Sequence, residues 1–272
     1  MTAEELATHA ANMRKKVLTM ACVCGTAAHL GGALSEIDIL SVLYGEVMNT
    51  KNFSLPPSKR DKFILSKGHG VLALYAALAE FGVLEPEITD TFMQDGSDLV
   101  AHPVLNEKLG IEASSGSLGQ GISLAVGLAL AAKKKGYEYK VYVLCGNGEC
   151  NEGSVWEAAM SAKNFGLDNL TLIIDNNGLQ SDGASAEVFN VSDKYGAMLT
   201  ALGWDVTEAD GHNIAALTET FGRKGQANMP RAIIAHTVKG KGVSFMENNN
   251  EWHHNRLTPE RYKAALAETE SA

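Results

Sequence analysis

Two short stretches have the makings of a site for an anionic ligand and its counter-ion. One is Gly146-Asn147-Gly148-Glu149-Cys150-Asn151-Glu152-Gly153; the other is Asp175-Asn176-Asn177-Gly178-Leu179. Glycines let the backbone come close to a ligand, and a helix opening just beyond such a turn offers free N–H groups to an anion. The amides and carbonyls of both stretches together can form an oxygen-rich cage for Mg²⁺ or Ca²⁺ bridging a diphosphate. Either stretch alone reads as an ordinary turn, because Asn and Gly make turns everywhere. Four histidines, His29, His69, His102 and His253, fall in loop-like or strand-end sequence. Imidazoles there can hydrogen-bond sugar or phosphate oxygens and exchange protons near neutral pH.

The elements that must hold these residues alternate between helix and strand. Helical spacing over 3–23 places Leu6, Ala10, Met13, Val17 and Met20 on one face. Ser35-Glu36-Ile37-Asp38 resembles a capping box that opens an apolar helix through Val47. A short strand over 62–65 runs through Ser66-Lys67-Gly68-His69 into a helix over about 70–82. Irregular polar sequence fills 85–113, and Gly116-Ser117-Leu118-Gly119-Gln120-Gly121 opens a small-residue helix ending near Gly136. Strands then follow at 141–145, 170–175, 204–208 and 231–238, with helices at 151–166, 193–202 and 213–224 between them. A polar, Asn-rich segment over 244–257 precedes a helix begun by Thr258-Pro259-Glu260. Nearly continuous apolar strands alternating with helices imply a three-layer α/β/α fold with a mostly parallel central sheet. In such a sheet ligands bind outside the carboxyl ends of the strands, where both turns fall. No repeat or linker interrupts the pattern, so residues 1–272 are expected to form one domain.

Composition narrows the partners. The 272 residues carry 32 acidic and 23 basic side chains, a formal net charge of −9 with no basic stripe, which argues against nucleic acid. Lys133-Lys134-Lys135 reads as a helix C-terminus, where cations complement the dipole. No run of about 20 apolar residues suggests a membrane span. The acidic start, Met1-Thr2-Ala3-Glu4-Glu5, is the wrong charge for a secretory signal. Cys22, Cys24, Cys145 and Cys150 lack the spacing of a zinc site, so they are read as structural or incidental. A cytoplasmic protein is expected.

The motifs, in this order, resemble the N-terminal, diphosphate-binding half of transketolase. Gly-x-Gly-(x)₃-Glu-Gly followed by Asn-Asn-Gly is similar to the thiamine diphosphate signature. Ser66-Lys67-Gly68-His69, Ser115-Gly116-Ser117-Leu118-Gly119-Gln120-Gly121, Glu152-Gly153-Ser154-Val155-Trp156-Glu157-Ala158 and Val238-Lys239-Gly240-Lys241-Gly242 extend the likeness over roughly 10–257. The resemblance implies that His29, His69, His102 and His253 are catalytic. It assigns Lys67, His69, Gly116, Ser117, Leu118, Gly146, Gly148, Glu149, Asn177, Lys239 and His253 to the cofactor. Asn147, Asn177 and the carbonyl of Leu179 are implied as metal ligands, and Glu152 as a contact between paired active sites. His9, His212, His236 and His254 are left structural or unassigned.

Two residues depart from the family pattern: Asn147 stands where an aspartate usually ligates the metal, and His254 where a glycine usually follows the active-site histidine. The amide keeps an oxygen but not the charge, so weaker Mg²⁺ binding is expected. The bulk of His254 would narrow the substrate entrance. In the family a second domain holds the aminopyrimidine and supplies the glutamate that activates it, and nothing in this sequence corresponds to it. The resemblance therefore implies one half of a split transketolase. It would join a separate C-terminal, pyrimidine-binding subunit in an α2β2 heterotetramer and move a two-carbon ketol unit from a ketose phosphate to an aldose. The alternatives are a specialised enzyme acting on an unusual sugar phosphate or sulfonate, a 1-deoxyxylulose-5-phosphate synthase-like half, and a catalytically silent regulatory subunit.

Overall fold

The computed structural model describes residues 1–49 and 55–270. The strands are β1 (Ala27–Ala28), β2 (Lys62–Leu65), β3 (Val141–Gly146), β4 (Leu170–Asn176), β5 (Leu179–Gln180), β6 (Gly183–Ala184), β7 (Asp205–Asp210), β8 (Arg231–His236) and β9 (Asn255–Arg256). The helices are α1 (Ala3–Val23), α2 (Leu30–Ser35), α3 (Ile37–Val42), α4 (Val71–Glu80), α5 (Gly121–Lys135), α6 (Gly153–Asn164), α7 (Ser185–Val188), α8 (Tyr195–Ala201), α9 (Ile214–Gly222) and α10 (Pro259–Glu270). Five strands form one sheet in the order β2-β3-β4-β8-β7, every neighbouring pair parallel. The domain expected over 1–272 includes 50–54 and 271–272, which lie outside the described residues.

Period-two alternation along the strands divides the core in two. Phe63, Leu65, Tyr142, Leu144, Ile173 and Ile233 join the layer of α1, α2, α3, α4 and α9. Their neighbours Ile64, Val143, Cys145, Leu172, Ile174 and Ile234 join α5, α6 and α8 on the other face. Both faces are covered, which is why these strands read as unbroken apolar runs, and the fold is the expected three-layer α/β/α. The four cysteines are free thiols, three of them buried in these layers. Among the described residues no helix is long and apolar enough to cross a membrane.

The expected capping box at Ser35 is not there. The helix expected through Val47 is present as α3 continued by a π-helical turn over Leu43–Val47; Glu36 separates it from α2, and neither Glu36 nor His29 makes a side-chain cap. Ser35, Glu36 and Asp38 are instead buried and committed to polar partners across the fold. A capping box does exist at the N-terminus of α1, between Thr2 and Glu5. The helix expected from 151 starts at Gly153, after a 3₁₀ turn over Glu149–Asn151. The polar, Asn-rich segment over 244–257 contains β9, which pairs antiparallel with β1 and brings His253 beside His29.

Candidate functional site

The carboxyl ends of β2, β3 and β4 open into a cavity of about 390 Å³, at the edge where parallel sheets take ligands. His29, Lys67, His69, His102, Lys239 and His253 all line it, as do Gly116, Leu118, Gly146, Asn147, Gly148, Glu149, Glu152, Asn177 and Leu179. Of the residues singled out from sequence only Ser117 is not among them; it is exposed.

The floor is an ionic cluster sealed from water. Lys67 Nζ lies 2.5 Å from Asp175 Oδ2 and 2.7 Å from Glu36 Oε2, and donates to the Gly32 carbonyl at 2.7 Å. Asp175 also accepts from Ser35 Oγ, Asn177 Nδ2 and Thr237 Oγ1. With these donors and the ammonium, Asp175 is held ionised, its pKa below the usual carboxylate range. Among the described residues Glu36 has only Lys67 as a side-chain partner, and burial pushes its pKa up to about 8. Lys67 thus anchors the floor and turns its charge toward the fold's own carboxylates.

Above the floor, Glu149 ties three segments together. Its carboxylate accepts from Ser66 Oγ at 2.5 Å, from the Gly119 N–H at 2.8 Å and from the Gly146 N–H at 3.1 Å. It therefore joins the ends of β2 and β3 to the turn before α5. Gly119, at φ +77°, admits nothing larger, since an added Cβ would sit 2.4 Å from Ser154 Oγ. The space over Gly148 is filled by Gln180, 2.7 Å from where a Cβ would lie, so closeness to the ligand is not what requires glycine there. Glu152 is exposed on the rim at the N-cap of α6 and makes no side-chain cap bond.

Asn147 is buried beneath the 146–148 turn. In the amide orientation that satisfies every neighbour, its nitrogen donates to the carbonyls of Leu179 (3.2 Å) and Asp175 (3.3 Å), and its oxygen accepts from Ser185 Oγ at 2.5 Å. Asn177 Oδ1 accepts the Leu179 N–H at 3.1 Å. The oxygen set suits a hard cation by type, but none of the three donors is a carboxylate.

The roof is a cluster of five imidazoles around His29. Ring centroids lie 5.2 Å away at His69, 5.8 Å at His102, 5.3 Å at His253 and 4.4 Å at His254. Burial, then the charges of its neighbours, lowers the His29 pKa to about 3, and His253 likewise falls to about 4. Burial lowers His69 and His102 too. The four are neutral near pH 7. Buried Lys239 donates to His253 Nδ1 at 3.0 Å and to Asn250 Oδ1 at 3.0 Å, and burial and the charge of Lys67 lower its pKa to about 8. Because Nδ1 accepts, His253 carries its proton on Nε2.

Sequence reasoning placed Asp175 in a candidate turn but gave it no role, missed Glu36, Thr237 and Asn250 as parts of this site, and passed over Ser185. An acidic residue closing a fully apolar strand was a usable signal for Asp175. Glu36 gave the opposite signal, since its spacing from Ser35 imitates a cap.

The family described as "Transketolase, thiamine diphosphate binding domain" matches residues 7–268. The chain is 44% identical over 243 residues to one subunit of the apulose-4-phosphate transketolase of Phocaeicola vulgatus, covering 89% of this chain and 86% of that protein. It is 38% identical to "6-deoxy-6-sulfo-D-fructose transketolase subunit SqwG" of Clostridium sp., over 96% of this chain and 95% of that one. The crystal structure of transketolase from Campylobacter jejuni superposes with a TM-score of 0.87 at 30% identity. The match takes in 98% of this chain but 43% of that longer one.

Two measurements check this geometry. Lys67→Met leaves Asp175 and Glu36 without their shared cation and should cost about 3–5 kcal/mol in urea denaturation; an unchanged midpoint would remove the floor from the account. For the imidazoles, the folded pKa lies below the unfolded value near 6.5. Their stabilisation is therefore present above pH 6.5 and lost as pH falls from there toward the folded pKa. Glu36, raised in the fold, has the opposite sign, so a variant must isolate the histidine part. His29→Asn should lose less stability than the parent between about pH 7.5 and pH 5, by about 1 kcal/mol. Equal losses would contradict a neutral, half-buried His29.

Proposed function

The chain belongs to the transketolase family, through its thiamine diphosphate binding domain, and on that premise we propose that it is the diphosphate-binding subunit of a two-chain transketolase. The reaction moves a two-carbon ketol unit from a ketose phosphate to an aldose acceptor. One observation carries the reading: four neutral imidazoles converge over the strand ends beside the 146–148 turn, in a cavity whose buried Lys239 has no carboxylate in contact. Such a cavity offers one ammonium to an anion and several uncharged donors and acceptors to sugar hydroxyls.

Thiamine diphosphate, when bound, supplies the electron sink that lets the carbon–carbon bond beside a ketose carbonyl break and form again. Gly116, Leu118, Gly146, Gly148, His69, Lys239 and His253 would hold it. His29 and His102 would orient the sugar through hydroxyl contacts. His253, its tautomer set by Lys239, keeps an Nε2 proton to donate. Lys67 and Glu149 hold the floor and turn in place and need no contact with the cofactor to matter.

The metal would sit among Asn147, Asn177 and the Leu179 carbonyl, all uncharged oxygens, so the diphosphate has to bring the negative charge. The relatives from Phocaeicola vulgatus and Clostridium are each named as one subunit of their enzyme and match along nearly their whole length, which supports a separate partner chain. That partner would supply the pyrimidine-binding half of a cytoplasmic α2β2 assembly, with Glu152 at the contact between sites. The same names favour a specialised ketose phosphate or sulfonate as donor.

Co-expression with a pyrimidine-domain partner should give ketol transfer that needs thiamine diphosphate and a divalent cation. Full activity from this chain alone would sink the two-subunit proposal. Asn147→Asp should lower the Mg²⁺ concentration needed for half-maximal activity by about tenfold, because a carboxylate replaces an amide at a hard cation. An unchanged or higher requirement would count against Asn147 as a ligand.

A further inference from the structure

Lys239 rides on the 238–242 turn, which leaves the sheet after β8 and is gripped from three sides. At its start, the Val238 N–H donates to His212 Nε2 at 2.8 Å. A ring that accepts at Nε2 holds its proton on Nδ1, and that proton goes to Asp38 Oδ2 at 2.7 Å. The same carboxylate oxygen takes Arg14 Nη2 at 2.5 Å. At the end of the turn the stem of Arg14 lies against Gly242, 3.0 Å from where a Cβ would stand. In the middle, the Gly240 N–H donates to the Gly31 carbonyl at 3.0 Å. Gly240 has φ +81°, and an added Cβ would lie 2.3 Å from the Met246 carbonyl oxygen.

We infer that His212 is a positioning residue: with Asp38 and Arg14 it fixes the 238–242 turn and so aims the Lys239 ammonium at His253. The chain of contacts runs from α1 through α3 and the loop between β7 and α9 to the end of β8, and it touches the cavity only through Lys239. The Val238 N–H needs an acceptor at His212 Nε2, and a proton on that nitrogen would put a donor in its place. The charged groups facing it are Asp38 from α3, Arg14 from α1, Glu247 beyond the turn and Asp210 at the end of β7. The geometry stands on its own; only its catalytic consequence rests on the proposed function.

The test is a pH titration of the histidine Cε1–H resonances in the full chain by NMR, with His253 assigned from a His253→Gln variant. The groups acting on His253 are Lys239, Lys67, His29, His69, His254 and Asp182. In the parent, His253 should titrate near 4. His212→Phe fills the space but accepts nothing, and should move His253 toward its ordinary value by about half a pH unit or more as Lys239 drifts from it. His9, which bonds Glu80 far from the turn, should not move. His212→Gln keeps an acceptor for Val238 and a donor for Asp38 and should leave His253 in place. An unmoved His253 in folded His212→Phe overturns the inference. Should that variant not fold, Asp38→Asn is read in the same way, with a shift in the same direction expected and an unmoved His253 overturning it. With the partner chain present, His212→Phe should lower kcat about tenfold with KM for the ketose unchanged. Absence of ketol transfer in the parent would fault the proposed function while the titration still decides the role of His212.

Discussion

A lysine ammonium sealed from water must find anions or give up its proton, and the end of β2 is organised around that requirement. Lys67 cannot reach solvent, so Asp175 comes to it from the end of β4 and Glu36 from the junction of α2 and α3. Three segments far apart in sequence are thereby pinned at one point beneath the cavity. The break between α2 and α3 falls at Glu36 itself, the residue whose side chain turns in to meet the cation. The two acids are not equivalent. Asp175 collects hydroxyl and amide donors besides the ammonium and stays ionised, whereas Glu36 has only Lys67 among the described residues and is pushed toward its neutral form. One cation therefore balances one full anion.

With the floor neutralised internally, the charges left at the cavity are Lys239 and the carboxylates of Glu152 and Asp182. Glu149 also spends its carboxylate on the fold, accepting two backbone N–H groups and a serine hydroxyl. Burial, and after it the charges that neighbouring groups carry or would carry, keeps His29, His69, His102 and His253 neutral. Lys239 is left as the cation without a contacting carboxylate in the cavity, and it is directed at an imidazole nitrogen and an amide oxygen. At the turn, an amide stands where the family usually has an acid, and its nitrogen donates to the very carbonyl of Leu179 proposed as a ligand.

Much of the fold was legible in the sequence because burial on both faces leaves a plain mark. The strands at β3, β4 and β8 are unbroken apolar runs, and the capping glycine after α5 and the small-residue start of that helix are equally visible. The histidines stood out through their loop contexts, and the structure brings His29, His69, His102 and His253 into one cluster with His254. The element least well read was the segment from Ser35 to Val47. Its polar residues imitate a cap because capping and long-range ion pairing draw on the same side chains, and spacing within one segment cannot separate them.

The sequence by itself determined the layered α/β/α arrangement, the strand ends that bear the turns and the family to which the chain belongs. These follow from local periodicity and from contiguous motifs. Only the tertiary structure decided which ionisable groups face the cavity and which face each other. Lys67 and Glu149 carry the same formal charges whether they meet a ligand or the fold, and Asn147 has the same amide whether it offers its oxygen or its nitrogen. Their partners, Asp175, Glu36, Ser66 and Ser185, lie 30 or more residues away in the chain. Packing alone brings them into hydrogen-bond range, and the burial and contacts it creates set the charge state of the site.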